Sequence, residues 1–232
     1  MEPTGMTRRD LLACAGATLA LPSLVAEAAK ETAHPEGAEE ALARLKAGNQ
    51  RFAQGKTVHA HQSADWRKHL VGGQKPFATI LGCSDSRVPV ELVFDQGFGD
   101  LFIARVAGNV ITTDVVGSLE YAVAHLSTSL IVVLGHQGCG AVTAAVQALE
   151  GPTRELPGIK KLVDLIEPGI PEAQPGHTHE QRIEAAVEAN VRFSLKQLAQ
   201  QPDVKAAIAA KKVQLVGAVY ELNTGNVRYL DE

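Results

Sequence analysis

Cysteine is scarce in this 232-residue chain, which has three: Cys14, Cys83 and Cys139. Three cannot build a disulfide framework, so the fold has to rest on a hydrophobic core, which 45% hydrophobic residues can supply. A basic run is missing too. With 22 Lys and Arg against 26 Asp and Glu the formal charge is -4, which excludes a nucleic-acid surface, since that needs clustered cations to neutralise phosphates. Nor is there a long apolar stretch after the amino terminus, where a membrane-spanning helix would need about 20 residues.

The amino terminus reads as a targeting segment rather than as part of the fold. Thr7-Arg8-Arg9-Asp10-Leu11-Leu12 is a twin-arginine pattern, followed by an apolar stretch to Val25 and a small-x-small cleavage site, Ala26-Glu27-Ala28. Residues 1–28 are therefore expected to be a twin-arginine signal peptide and residues 29–232 one domain, periplasmic or otherwise exported, with no stable membrane insertion after signal removal. An uncleaved anchor is the alternative. Lipidation of Cys14 fits poorly, because this residue precedes most of the apolar stretch.

With Cys14 removed, the chemistry gathers in two short stretches. Cys83-Ser84-Asp85-Ser86-Arg87 follows the apolar run Phe77–Leu81, and His136-Gln137-Gly138-Cys139 follows Leu130–Leu134. Such runs, short and rich in β-branched residues, read as buried strands. Both clusters would then sit beyond the carboxyl ends of strands, where open α/β sheets bind ligands. Two thiolates and an imidazole suit Zn²⁺. No fourth sulfur remains in the mature chain, so the site is either open to water or completed by a carboxylate. Asp85 is the candidate, since residues 83, 85 and 87 share a face if the backbone stays extended.

The remaining chain alternates strands and helices. Residues 36–54 show helical spacing with a weak point at Gly48-Asn49, and a polar segment, residues 59–73, follows. Leu101–Ala107 reads as a strand. Val115–Leu126 reads as a helix capped by Thr113 or Asp114, and residues 141–149 as another. Residues 151–176, rich in Pro and Gly, interrupt regular structure apart from one or two turns over 159–166. A long amphipathic helix over 180–200, a shorter one around 206–210 and a last strand over 213–222 complete the order. The fold class is α/β, a central, mostly parallel sheet flanked by helices, with a helical amino-terminal arm. His59, His61, His177 and His179 read as solvated loop histidines.

Cys83-x-Asp85-x-Arg87 followed by His136-x-x-Cys139 resembles the zinc signature of the β-class carbonic anhydrases. Its surroundings agree: Leu81-Gly-Cys-Ser-Asp-Ser-Arg-Val-Pro89, Gly99-Asp-Leu-Phe-Ile-Ala-Arg-Val-Ala-Gly-Asn109, Glu188-Ala-Asn-Val191 and Gly217-Ala-Val-Tyr-Glu-Leu222. The resemblance implies one Zn²⁺ per chain on Cys83, His136 and Cys139, and reversible hydration of carbon dioxide to bicarbonate and a proton by a zinc-bound hydroxide. Two thiolates cancel the zinc charge, so that hydroxide should form at higher pH than in a three-histidine site. Asp85 and Arg87 would be the catalytic pair, the carboxylate either ligating zinc or, when held by Arg87, accepting the hydroxide's hydrogen bond. Gln74, Phe102 and Tyr121 match the family's substrate pocket, with Gln74 reaching in from a neighbouring subunit. A homodimer or homotetramer is implied. Two alternatives stand: a related zinc hydrolase acting on CS₂ or COS, and a non-catalytic zinc or redox module.

Overall fold

A computed structural model describes residues 34–230. The expected signal peptide, residues 1–28 with Cys14, lies outside the described residues.

The apolar runs build one five-stranded sheet in the order β2-β1-β3-β4-β5. Strands β1 (Ala78–Gly82) and β3 (Leu130–His136) are buried along their whole length and lie side by side. Strand β2 (Leu101–Arg105) pairs with the free side of β1, and β4 (Gln214–Tyr220) with that of β3, all parallel. Strand β5 (Val227–Tyr229) is antiparallel to β4. The continuous run Leu130–Leu134 in β3, without alternation, is what burial on both faces demands.

Helices cover both faces. Leu81, Ile131, Val133 and Val219 pack on one side against α5 (Gly140–Glu150), α6 (Pro157–Ile166) and α7 (His179–Ala199) through Val142, Val146, Val163, Ile166, Val187 and Val191. On the other side Ala78, Ile80, Val132 and Leu134 meet Ala41 and Leu45 of α1 (Ala38–Ala53), with Val88, Val93 and Phe94 around the short helix α3 (Val90–Val93). Each fully buried Leu, Ile or Phe contributes about 1.5–3 kcal/mol relative to an exposed one. Three more helices complete the described chain: α2 (Ala64–His69), α4 (Thr113–His125) and α8 (Pro202–Ala209).

Several local expectations are corrected. Helix α1 runs unbroken through Gly48-Asn49, and both residues are buried. A Cβ on Gly48 would stand 1.9 Å from the carbonyl oxygen of Phe94, so glycine is there for close approach of two backbones. Asn49 Nδ2 donates to the carbonyls of Val93 (3.1 Å) and Gly225 (2.9 Å), and Oδ1 accepts from Val227 N (2.8 Å). The cap of α4 is Thr112, whose Oγ1 accepts from Val115 N, one residue earlier than expected because Thr113 already has helical backbone. Helix α6 spans ten residues, not one or two turns; proline at its first position pre-sets φ and gives up an N–H that has no partner there. His61 is not solvated: its Nδ1 lies 2.8 and 2.9 Å from the Asp100 carboxylate oxygens and its ring stacks on Trp66 at 4.0 Å.

Going from β1 the chain adds β2 on one side and later β3 on the other. The strand order therefore reverses between β1 and β3, and in open α/β sheets ligands bind at such a switch point, in the crevice beyond the carboxyl ends of the strands.

Candidate metal centre

Both halves of the motif reach that crevice. Cys83 follows the last residue of β1, His136 is the last residue of β3, and Cys139 immediately precedes α5. All three are buried, and their Sγ, imidazole nitrogen and Sγ atoms lie within 4.8 Å of one another, the one such group of three among the described residues. Cys83 Sγ stands 3.9 Å from Cys139 Sγ. His136 is oriented by its Nδ1, 3.0 Å from the carbonyl oxygen of Gln137. That leaves Nε2, fully buried and with no hydrogen-bond partner. An orphaned imidazole nitrogen beside two thiols has the chemistry of a zinc-type donor set, and this is what the fit rests on.

Electrostatics point the same way. The Cys139 thiol donates to Cys83, which together with His136 and the Gly108 amide, and against burial, pushes the Cys83 thiol down to about 4. The same bond and burial push Cys139 up. A cation between the two sulfurs would favour the ionised form of both.

The turn that supplies the Gly108 amide is itself anchored. Gly108 N donates to Cys83 Sγ at 3.4 Å, from a residue whose φ of 69° favours glycine; a Cβ there would also press on the Cδ1 tip of Ile166 at 2.6 Å. Asn190 Nδ2 donates to the Gly108 carbonyl (2.8 Å) and Ser194 Oγ to that of Asn109 (3.1 Å). Asn190 falls in the stretch Glu188–Val191 that the resemblance includes, but no role was assigned to it from the sequence, and Ser194 was not singled out. The signal was there: two polar side chains four apart on a stripe with Ala186, Val187, Val191 and Leu198, all buried.

Asp85 and Arg87 come together, though not by continued extension. Residues 86–87 form a turn, closed by Val88 N donating to the Asp85 carbonyl at 3.0 Å, and the turn brings Arg87 back over the carboxylate. Arg87 Nε and its backbone N–H each donate to Asp85 Oδ1 at 2.9 Å, and Nη2 donates to Oδ2 at 2.7 Å. This bidentate grip, led by the guanidinium bonds, holds the carboxyl well below the usual carboxylate range. Oδ2 also lies 3.8 Å from His136 Nε2, so the charged acceptor faces the cluster.

The three expected pocket residues stand elsewhere. Phe102 pairs in register with Thr79, three positions before the Gly82–Arg105 pair, so it lies about 10 Å down the strand from the Cys83 end. Its ring is 6.2 Å from that of Tyr121, which is 47% exposed and lies 5.0 Å from the ring of His125. Gln74, also exposed, precedes β1. Phe102 and Tyr121 thus line the open edge of the sheet, away from this chain's own cluster.

The carbonic anhydrase family model matches residues 78–227, which include every residue of the cluster. Carbonic anhydrase 2 of Mycobacterium tuberculosis is 42% identical over 184 residues, covering 78% of this chain and 87% of that protein. The chain belongs to the carbonic anhydrase family. Solved β-carbonic anhydrases share its fold, which places this carbonic anhydrase in the β class. One, from work on two tetrameric enzymes of the filamentous ascomycete Sordaria macrospora, aligns with a TM-score of 0.65 at 26% identity, over 80% of this chain and 94% of that one. Another, the Coccomyxa β-carbonic anhydrase in complex with acetazolamide, gives 0.64 at 25% identity, over 78% and 82%. The reaction of this carbonic anhydrase is the reversible hydration of carbon dioxide to bicarbonate and a proton.

Proposed function

We propose that this reaction runs at one Zn²⁺ per chain held by Cys83, His136 and Cys139, with Asp85 and Arg87 outside the ligand set as the catalytic pair. The observation that carries the reading is the orphaned Nε2 of His136, buried beside two thiols and facing a carboxylate that already has its own partner. Zinc bound there would supply Lewis acidity, letting water ionise far more readily than free water, though at higher pH than in a three-histidine site. The residues of the chain do the rest. Asp85, kept ionised by Arg87, accepts a hydrogen bond from the nucleophile at Oδ2 and so turns a lone pair toward the substrate carbon. Arg87, tied also to the Gly138 carbonyl at 3.3 Å, keeps the carboxylate from swinging into the cluster.

The pocket is proposed to form between subunits. Phe102 and Tyr121 lie at the open β2 edge, away from their own cluster, and Gln74 is exposed ahead of β1, which suits service to a second copy in a homodimer or homotetramer; the Sordaria relatives are tetrameric by description. Phe102 and Tyr121 would keep that pocket apolar, and Gln74 would donate to a carbon dioxide or bicarbonate oxygen. Residues 1–28 are proposed to export the chain by the twin-arginine route, leaving a mature protein from residue 29. Exported protein carrying Arg8→Lys and Arg9→Lys together would contradict that assignment.

Stopped-flow hydration of carbon dioxide by the zinc-loaded chain, with CS₂ hydrolysis measured in parallel and acetazolamide as inhibitor, tests the function. Hydration that vanishes in Asp85→Ala with zinc still bound supports the reading, and near-normal turnover in that variant overturns the role of the pair.

A further inference from the structure

Strand β2 ends before the site does, and its last side chain reaches on to the motif. The β1–β2 ladder makes its last bond from Val106 N to the Gly82 carbonyl at 3.1 Å, after which the chain leaves the sheet in a short 3₁₀ turn, Ala107–Asn109. The carbonyls of Cys83 and Asp85 lie beyond that bond, and Asp85 O already accepts from Val88 N at 3.0 Å in the turn. One guanidinium reaches both. Arg105 Nε donates to Cys83 O at 2.9 Å and Arg105 Nη2 to Asp85 O at 2.6 Å.

We infer that Arg105 is a positioning residue for the reaction: its guanidinium fork ties two carbonyls of the motif together and fixes the backbone of residues 83–85. Carbonyls two residues apart point to one side of an extended chain, so a rigid fork that holds both keeps side chains 83 and 85 on a common face. In this fold that face looks into the crevice, toward His136 and Cys139. Arg87 holds the Asp85 carboxylate from one end, and Arg105 holds the Asp85 backbone from the other. The second grip, with the Val88 N–H on the same carbonyl, fixes where the carboxylate starts from. Arg105 is otherwise exposed at the sheet edge, and a plain surface cation would have no reason to place two donors on the main chain of the motif.

The inference rests on the proposed role of Asp85, and the test separates the two. Arg105→Gln removes the fork, while Arg105→Lys keeps the charge and returns a donor. Each is loaded with zinc and checked for zinc per chain and for thermal unfolding, then measured by zinc-edge absorption and by carbon dioxide hydration. Expected for Arg105→Gln are full zinc content, a fall in kcat/KM of about 10- to 100-fold, and a new light-atom ligand at zinc that disappears in Arg105→Gln combined with Asp85→Ala. Arg105→Lys should recover most of the turnover and lose the extra ligand. A merely structural Arg105 would lower the unfolding temperature and leave the zinc spectrum of the folded fraction unchanged, which overturns the inference. So does wild-type turnover in Arg105→Gln while Asp85→Ala is inactive. Near-normal turnover in Asp85→Ala instead brings down the underlying reading of the pair. If Arg105→Gln fails to fold, Arg105→Lys decides: a spectrum like wild type with intermediate turnover supports the fork, and unchanged turnover refutes it.

Discussion

Two of the polar clusters buried among the described residues have opposite bonding states. Beside α1 everything is paired: Asn49 has three backbone partners, Asp95 accepts from Val58 N, His59 N and Arg51, and Asp100 accepts from Arg44, His61 and Gly97 N. At the crevice, by contrast, His136 Nε2 has no partner, and two thiols, poor hydrogen-bonding groups, have chiefly each other. A buried polar atom without a partner costs about 1–3 kcal/mol. A closed network reads as structure, whereas an open one made of soft donors reads as a place for a ligand.

The largest effect expected from breaking this contrast is at the sulfurs. Cys83→Ser or Cys139→Ser should lose zinc, measured as metal per chain, and with it turnover by more than about 10³-fold; the double variant should hold none. Chelation of wild type should do the same and lower its unfolding temperature, because metal binding is coupled to folding.

Next come the two members of the pair. Asp85→Ala and Arg87→Ala should both keep zinc and each lose about 10²-fold or more in turnover, for different reasons. In the first the acceptor is gone. In the second the freed carboxylate is drawn onto the cation, since that attraction is strong in a partly dry site, so zinc in Arg87→Ala should gain an oxygen ligand that Asp85→Ala lacks.

The paired cluster should behave in the reverse way. Asn49→Ala removes three hydrogen bonds and strands two carbonyls and an amide, at a cost of about 1–3 kcal/mol in denaturant unfolding. Zinc content and turnover per folded molecule should stay at the wild-type level. A loss of metal in this variant would show that the two clusters are coupled.

The smallest effect is in pH. Asp85 has its folded-state pKa depressed by Arg87, so the pair contributes stability above the unfolded carboxyl value of about 3.9, and that stability is lost only as pH falls through the folded value. The stability difference between wild type and Asp85→Asn should therefore be flat from about pH 8 to about pH 5 and shrink only below about pH 4.

How far the sequence spoke follows the same division. The strands and the donor set were readable because burial on both faces leaves unbroken apolar runs, and because His136-x-x-Cys139 places both donors in one short turn. Three features were hidden. Gly48-Asn49 looks like a helix break and is a contact point, since propensity is local while the Phe94 carbonyl that fits against Gly48 comes from 46 residues further on. The route by which Arg87 reaches Asp85 depends on a turn at residues 86–87 that side-chain alternation does not reveal. Arg105 bonds main-chain carbonyls, to which sequence patterns are blind.

Zinc K-edge absorption on the purified, zinc-loaded wild type beside Asp85→Ala tests the open three-residue centre most directly. Two sulfurs at about 2.3 Å with two light atoms, in spectra that coincide for the two proteins, are the predicted result. A shell without sulfur, or a light-atom ligand lost on removing Asp85 at neutral pH, would contradict it.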